Sequence, residues 1–339
     1  MSTIVFRTDA SAEIGTGHAM RCLALAQAAH DAGHRTFFLM IPGAEQLKIR
    51  LRAEGCDVRE LSAKRGSPED ARETAALCKE YSAHAVVDGY AFNDAYQQIL
   101  REENIFVLLI DDYGQAQTYA ANIILNQNSY APNLRHLYKK RPDGSKLLLG
   151  SEYILLRREF CSLKPAPNIP ATVKNILVTF GGSDVQNMTV RAVASLRSSV
   201  NSARITVVVG SANTHAATIE AAGKGMTVVR DTKNMPELMA NSDLALAAAG
   251  TTSYELAYMG VPMLLCALAE NQRPVAKNLE KQGIAHVLKE KDLENPDAIA
   301  QIVRTLSQDQ MLRRQMSEKG RALVDGGGAR RVLEKLLQY

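Results

Sequence analysis

The side chains suited to acid–base chemistry lie where strand patterns run out into loops. Thr8-Asp9-Ala10-Ser11-Ala12-Glu13-Ile14-Gly15-Thr16-Gly17-His18 follows a β-branched run from Thr3 to Arg7. His18 stands at the start of a helical pattern, where an imidazole takes a proton from water near neutral pH. A helix-capping or packing histidine is the competing reading. Asp9 orients that imidazole, binds substrate hydroxyls or caps the loop. Gly15 and Gly17 permit positive φ and close backbone approach, and the amides opening the helix favour an anion. A dinucleotide fingerprint fails here: Met20 stands where the third glycine belongs, and the loop after the strand is too long. A nicotinamide or flavin cofactor is therefore not expected.

Further polar groups close other strand candidates. Asp88-Gly89-Tyr90 ends one and Asp111-Asp112 the next. Neighbours at a strand end face opposite ways, so one of the two acids is expected to reach substrate and the other to cap the loop. Paired acids also bind magnesium, but adjacent strand-end acids are a weak metal signal. Asn126-Gln127-Asn128 offers amides suited to a sugar, or a plain turn. His30 and His34 have metal-ligand spacing, yet Gly33 between them is expected to end the helix.

In the second half, Phe180-Gly181-Gly182-Ser183-Asp184 supplies small residues and amides suited to a diphosphate, or a tight turn. Ala249-Gly250-Thr251-Thr252-Ser253-Tyr254-Glu255 places two hydroxyls at a helix start, where phosphate takes amide and hydroxyl bonds together. Glu255, one turn on, can accept bonds from ribose hydroxyls. The competing reading is a capping box from Thr252 to Glu255 without a ligand. Glu270-Asn271-Gln272 could hold a substrate or a water, or be ordinary surface.

The elements that must position these residues alternate. Thr3 to Arg7, Arg35 to Ile41, Ala83 to Asp88, Ile105 to Ile110 and Asn122 to Asn126 read as strands, with a helix from Met20 to Ala32. Pro165, Pro167 and Pro170 mark a linker. The alternation restarts with strands at Asn175 to Phe180, Arg204 to Val209, Met226 to Arg230, Asp243 to Ala248 and Met263 to Cys266, and helices at Thr189 to Ser198 and Thr252 to Met259. The class is α/β: two Rossmann-like domains with parallel sheets, expected to face each other across a cleft. The expected limits are 1–160, a linker 161–172, 173–325, and a terminal helix 326–339 of open domain. Ligands in such sheets bind beyond the C-terminal strand ends.

The chain has 339 residues, 46% hydrophobic and 22% charged, which argues against a disordered or fibrous chain, and a net charge of +4. No basic block points to nucleic acid. No apolar run is long enough to span a bilayer, and with strand-like residues from Thr3 onward no signal peptide is expected. The five scattered cysteines read as free thiols in a reducing cytoplasm.

The ordered set of motifs resembles a known superfamily. From Asp231-Thr232-Lys233-Asn234-Met235-Pro236 to the Gly250–Glu255 loop, the second half resembles nucleotide-sugar glycosyltransferases of the type B fold. With Arg7-Thr8-Asp9, Gly15 to His18, Arg21, Val86 to Tyr90, Asp111-Asp112, Asn126 to Asn128, Gly150 to Phe160, Gly181 to Asp184 and Asn271-Gln272, the chain resembles the UDP-sugar hydrolases of pseudaminic acid synthesis within that superfamily. The stretches cover roughly residues 3 to 280. Gly89 departs from the pattern, where a bulkier residue, often histidine, is expected.

The resemblance implies release of UDP from UDP-2,4-diacetamido-2,4,6-trideoxy-β-L-altropyranose, with inversion at the anomeric carbon. It implies His18 as general base or water-positioning group, helped by Tyr90 and Asn271. Asp9, Gly17, Arg21, Asp88 and Asp112 are the substrate-binding set of the first half. In the second half, the main chain at Met235 meets uracil, Glu255 meets ribose, and Gly182, Ser183, Gly250, Thr251, Thr252 and Gln272 serve the diphosphate and sugar. No metal or other cofactor is implied, since amides and helix dipoles serve the leaving group.

Three alternatives stay open: a glycosyltransferase using the same donor, a hydrolysing UDP-sugar 2-epimerase, and a non-catalytic nucleotide-sugar binding protein. Gly43 to Asp70 mixes both signs of charge and lacks the apolar, basic face of transferases that work on lipid acceptors. A cytoplasmic monomer, without nucleic-acid partner or membrane insertion, is expected.

Overall fold

The computed structural model describes residues 1–11, 13–163, 168–182, 184, 186–199, 203–210, 213–223, 225–230, 232–293 and 295–338. Of the residues singled out above, Ala12, Pro165, Pro167, Ser183 and Asp231 lie outside the described residues. The chain divides into two compact units, one of residues 1–158 with 326–339, the other of 159–325.

The first unit holds strands β1 (Thr3–Thr8), β2 (Arg35–Met40), β3 (Asp57–Glu60), β4 (His84–Asp88), β5 (Val107–Ile110), β6 (Ile123–Asn126) and β7 (Lys146–Leu149). They form a parallel sheet in the order β3-β2-β1-β4-β5-β6-β7. Alternation along β1 explains its two buried faces. Ile4 and Phe6 pack in one core with Leu23, Ala26 and Ala29 of helix α1 (Gly17–Asp31). Val5 faces the other, with Ala75, Tyr96 and Leu100. The helix Gly328–Leu336 adds Ala329, Val332, Leu333 and Leu336 to the α1 core, so the terminal helix belongs to this unit.

Strands β3 and β7 have no counterpart in the sequence reading. β3 is the sheet edge, and its Asp-Val-Arg-Glu segment is mostly exposed, so it carries no apolar run to notice. The run from Ile105 shortens to Val107, because Asn104 turns at φ 60° and the Ile105 amide closes the preceding helix on Leu100.

The second unit holds β8 (Asn175–Thr179), β9 (Arg204–Val209), β10 (Thr227–Arg230), β11 (Leu244–Ala248), β12 (Met263–Cys266) and β13 (Ala285–Val287), parallel in the order β10-β9-β8-β11-β12-β13. The described part of the proline segment is fastened to this unit. Gln310 Nε2 donates to the Ile169 carbonyl at 2.7 Å, and the Arg313 guanidinium to that of Ala171 at 3.2 Å. All five cysteines are free thiols. Among the described residues no helix is long and apolar enough to cross a membrane.

In each sheet the strand order reverses beside the first strand, between β1 and β4 and between β8 and β11. Such switch points open crevices at the C-terminal strand ends. The polar loops singled out from the sequence follow these strands.

Candidate functional site

The first site grows from the β1–β4 pair. Their register sets Thr8 beside Asp88, which brings the Asp88 carboxylate to the first turn of α1. His18 Nδ1 lies 2.7 Å from Asp88 Oδ1. Arg21, one turn along α1, reaches the same carboxylate with Nε and Nη2, both at 2.7 Å. Its Nη1 donates to Asp112 Oδ1 at 2.6 Å and its Nη2 to Asp112 Oδ2 at 3.2 Å. Tyr90 donates its hydroxyl to Asp112 Oδ2 at 2.8 Å, and its ring meets that of His18 edge-on at 4.9 Å. His18, Asp88, Arg21, Asp112 and Tyr90 therefore close a ring of contacts.

The charges are settled by the partners. Burial works against ionised Asp88, but the charges and hydrogen bonds of Arg21 and His18 outweigh it and hold the carboxyl below its usual range. Asp112 is likewise held low against burial, chiefly by Arg21. An ionised Asp88 only accepts, so the proton in the 2.7 Å contact belongs to His18 Nδ1. With that proton on Nδ1, it is Nε2 that carries the lone pair whenever the ring is neutral, and Nε2 has no hydrogen-bond partner among the described residues.

Asp88 is fully buried, and both its oxygens are engaged by His18, Arg21 and the Cys22 thiol. Through these contacts Asp88 sets the orientation of the His18 ring. Arg21 is buried too, with its guanidinium held between two carboxylates. Asp9 does not orient the imidazole. Its Oδ1 takes Arg7 and the Ile41 amide, each at 2.8 Å, because Arg7 and the end of β2 draw it aside; its Oδ2 is buried without a partner.

Asp111 and Asp112 part company as strand-end neighbours should. Asp111 accepts from the amides of Tyr113, Gly114 and Gln115 at 2.8, 2.6 and 3.2 Å and from the Tyr119 hydroxyl at 2.9 Å. The amides of Asn126 to Asn128 are buried and turned inward. Asn126 Nδ2 donates to the Asp112 carbonyl at 2.8 Å, Asn128 Nδ2 to Asp112 Oδ1 at 3.1 Å, and Gln127 Oε1 accepts from the Leu155 amide at 2.8 Å. Asn126 and Asn128 thus hold Asp112 in place.

Gly15 uses its freedom, with φ 74°, whereas Gly17 simply starts α1. Gly89 has φ 149°, and a Cβ there would meet the Phe92 ring at 3.0 Å. This backbone explains glycine where the resembling family has a bulkier residue. His30 bonds Thr36 Oγ1 at 2.7 Å and His34 accepts from the Ser2 amide at 3.1 Å, so the pair shares no site.

Sequence reasoning missed Asp70. It clamps buried Arg7 through two 2.8 Å bonds, takes Tyr96 Oη at 2.9 Å and thereby holds the base of the Asp9 loop. The available signal was Arg7, a charge inside a strand otherwise apolar.

The second unit gathers its predicted loops at the ends of β8 and β11. Gly181 turns at φ 83°, and Gly182 packs backbone to backbone with Gly210, where a Cβ would lie 2.5 Å from Gly182 Cα. Asp184 caps the next helix through the amides of Met188 and Thr189 at 2.8 and 2.9 Å. Gly250 is the extended N-cap of the helix Thr251–Met259 and offers no side-chain cap. The Thr252–Glu255 capping box does not form, because the helix begins one residue earlier and Ser253 donates its amide and hydroxyl to the Gly250 carbonyl. Thr251, Thr252 and Glu255 are half-buried.

Gln272 accepts from the Leu268 amide at 2.9 Å, and its Nε2 lies 3.9 Å from where a Gly250 Cβ would sit. Gln186 donates to the Leu268 carbonyl at 2.8 Å, joining the glycine loop to the turn of Asn271 and Gln272. Met235, half-buried, opens the short helix Met235–Ala240.

The chain is similar to several known proteins. Residues 175–326 match the model of the glycosyltransferase family 28 C-terminal domain. A crystal structure of Acinetobacter baumannii MurG superposes with a TM-score of 0.64 at 16% identity, covering 100% of both chains. The spinosyn rhamnosyltransferase SpnG complexed with thymidine diphosphate gives 0.65 at 14%, covering 98% of this chain and 100% of that one. The chain has the glycosyltransferase-B fold. Among curated relatives, it is 24% identical over 280 residues to the uncharacterized protein MJ1062 of Methanocaldococcus jannaschii, covering 80% of this chain and 56% of that protein. It is 27% identical over 194 residues to the spore coat polysaccharide biosynthesis protein SpsG of Bacillus subtilis, covering 56% and 57%. The chain thus spans little more than half the length of these two. It is 24% identical over 285 residues to the UDP-2,4-diacetamido-2,4,6-trideoxy-β-L-altropyranose hydrolase of Campylobacter jejuni, covering 83% and 97%.

Proposed function

We propose that this glycosyltransferase-B-like chain is a nucleotide-sugar enzyme and that it hydrolyses a UDP-sugar, UDP-2,4-diacetamido-2,4,6-trideoxy-β-L-altropyranose, on the way to a nonulosonic acid. The observation that carries the reading is the 2.7 Å His18–Asp88 contact, which leaves Nε2 as the base. The likeness to the Campylobacter hydrolase, over 97% of that protein, supports the substrate.

Water attacks the anomeric carbon from the face opposite the diphosphate. Its proton passes to His18 Nε2, the anomeric C–O bond breaks, and UDP leaves with the bonding electrons. Inversion follows from the single displacement. Asp88 stabilises the imidazolium as it forms, as a buried carboxylate does behind a catalytic histidine. Tyr90 and Asn271 hold the water or the sugar. Gly182, Ser183, Gly250, Thr251 and Thr252 receive the diphosphate, Glu255 the ribose and the Met235 main chain the uracil, with Gln272 beside Gly250. The N-terminus of the Thr251–Met259 helix, which carries no side-chain cap, suits the charge that grows on the departing phosphate. The protein acts without a metal and in the cytoplasm.

The test is UDP release from the UDP-diacetamido sugar by wild type and His18→Ala. Full activity in the variant would remove His18 from the mechanism. A glycosyltransferase remains the second reading, favoured by the family 28 match over residues 175–326. Sugar release without any acceptor separates the two.

A further inference from the structure

We propose that Tyr113 and Leu137, with Tyr90, form an apolar shelf that selects methyl-bearing hexoses, those with N-acyl or 6-deoxy groups, over fully hydroxylated ones. The inference rests on the nucleotide-sugar reading and adds residues that neither the motifs nor the chemistry supplied. Few large hydrophobic side chains are exposed among the described residues: Met1, Ile49, Tyr90, Tyr113, Leu137 and Met311. Two of these adjoin, and a third lies beside the residue that follows Tyr113. The Tyr90 and Tyr113 rings lie 5.6 Å apart, and Leu137 packs on Gly114, where a Cβ would meet it at 2.6 Å. Tyr90 in turn touches the His18 ring.

The shelf is built, not incidental. Buried Asp111 accepts from the Tyr113 and Gly114 amides at 2.8 and 2.6 Å and from the Tyr138 hydroxyl at 3.1 Å, the neighbour of Leu137. One carboxylate thus fixes both backbone segments that raise the apolar side chains to solvent. A sugar whose attacking water is held at His18 Nε2 lies beside the Tyr90 ring, 4.9 Å from that of His18, and Tyr113 stands next to Tyr90 at 5.6 Å. Aromatic faces there favour C–H and methyl groups and leave hydroxyls without partners.

The test compares wild type, Tyr113→Phe, Tyr113→Ala and Leu137→Ser as full chains. Saturation-transfer NMR with UDP-N-acetylglucosamine and UDP-glucose reads contact at the acetyl methyl and at uracil. Hydrolysis of the UDP-diacetamido sugar gives KM and kcat separately. Expected is strong acetyl-methyl saturation in wild type and Tyr113→Phe, lost in Tyr113→Ala with uracil unchanged. KM for the diacetamido sugar should rise about 3- to 10-fold in Tyr113→Ala, with kcat little altered. Unchanged methyl saturation and KM in Tyr113→Ala and Leu137→Ser, with uracil signal intact, would overturn the shelf alone. So would a loss confined to self-association in sedimentation, which would give the surface to a second copy of the chain. Absence of both uracil signal and turnover in wild type would overturn the nucleotide-sugar reading, and the shelf with it.

Discussion

His18 Nδ1 and Asp88 Oδ1 stand 2.7 Å apart, joined across the first turn of α1 and the end of β4. Asp88 is ionised and buried, so this contact dictates which ring nitrogen carries the proton. Replacing it by Asp88→Asn removes that dictate. UDP release is expected to fall about 10²- to 10⁴-fold, the range for loss of general-base catalysis, as in His18→Ala. Steady-state assay with a ¹⁵N spectrum of the imidazole checks both rate and tautomer. A full rate with the native tautomer would refute the dyad.

Arg21 is the cation between two buried carboxylates. Arg21→Leu leaves Asp88 and Asp112 without it, at a cost of about 3–5 kcal/mol. Urea or thermal unfolding at neutral pH measures the loss. Stability equal to wild type would mean that the bridge contributes nothing.

Asp88 and Asp112 have folded pKa values below those of the unfolded chain. Their contribution is therefore complete above the ordinary carboxylate value of about 3.9 and is lost as pH falls toward the folded values. Wild type should lose stability steeply below about pH 4. Asp112→Asn should be less stable at pH 7 and show a shallower acid limb. Melting curves from pH 7 to pH 2.5 decide it, and parallel limbs would contradict the assignment.

Gly89 holds φ 149°, with Phe92 3.0 Å from any added Cβ. Gly89→Ala is expected to cost about 1–3 kcal/mol through backbone strain and the displaced ring. The Phe92 ring also lies 4.7 Å from the Arg7 guanidinium, so displacement reaches the clamp beneath Asp9. Differential scanning calorimetry gives the shift; an unaltered melting temperature would show the turn to be tolerant.

Gly210 touches the Gly182 backbone. Gly210→Ala must push the glycine loop aside and is expected to weaken UDP binding at least about 10-fold, since small misplacements are costly at a binding loop. Titration calorimetry with UDP provides the constant. Unchanged affinity would detach this loop from the diphosphate.

What the amino-acid order determined by itself is local. Alternating strand and helix periods specified two parallel α/β sheets, and the polar residues after β1, β4, β5, β8 and β11 marked the strand ends where such sheets carry their sites. The place of His18 at a helix start was legible because a histidine after a glycine loop is a local feature. Edge strand β3 was not, since an exposed edge needs no apolar alternation. The partner of His18 was settled only in three dimensions. Asp9 is nine residues away and Asp88 seventy, yet strand order sets β4 against β1 and turns Asp9 toward Arg7 and β2. Asp70 and the Asp111-held pair Tyr113 and Leu137 were hidden for the same reason. Hydrogen bonds between segments far apart in sequence leave no period or spacing to read, because sheet order and register alone bring the groups together.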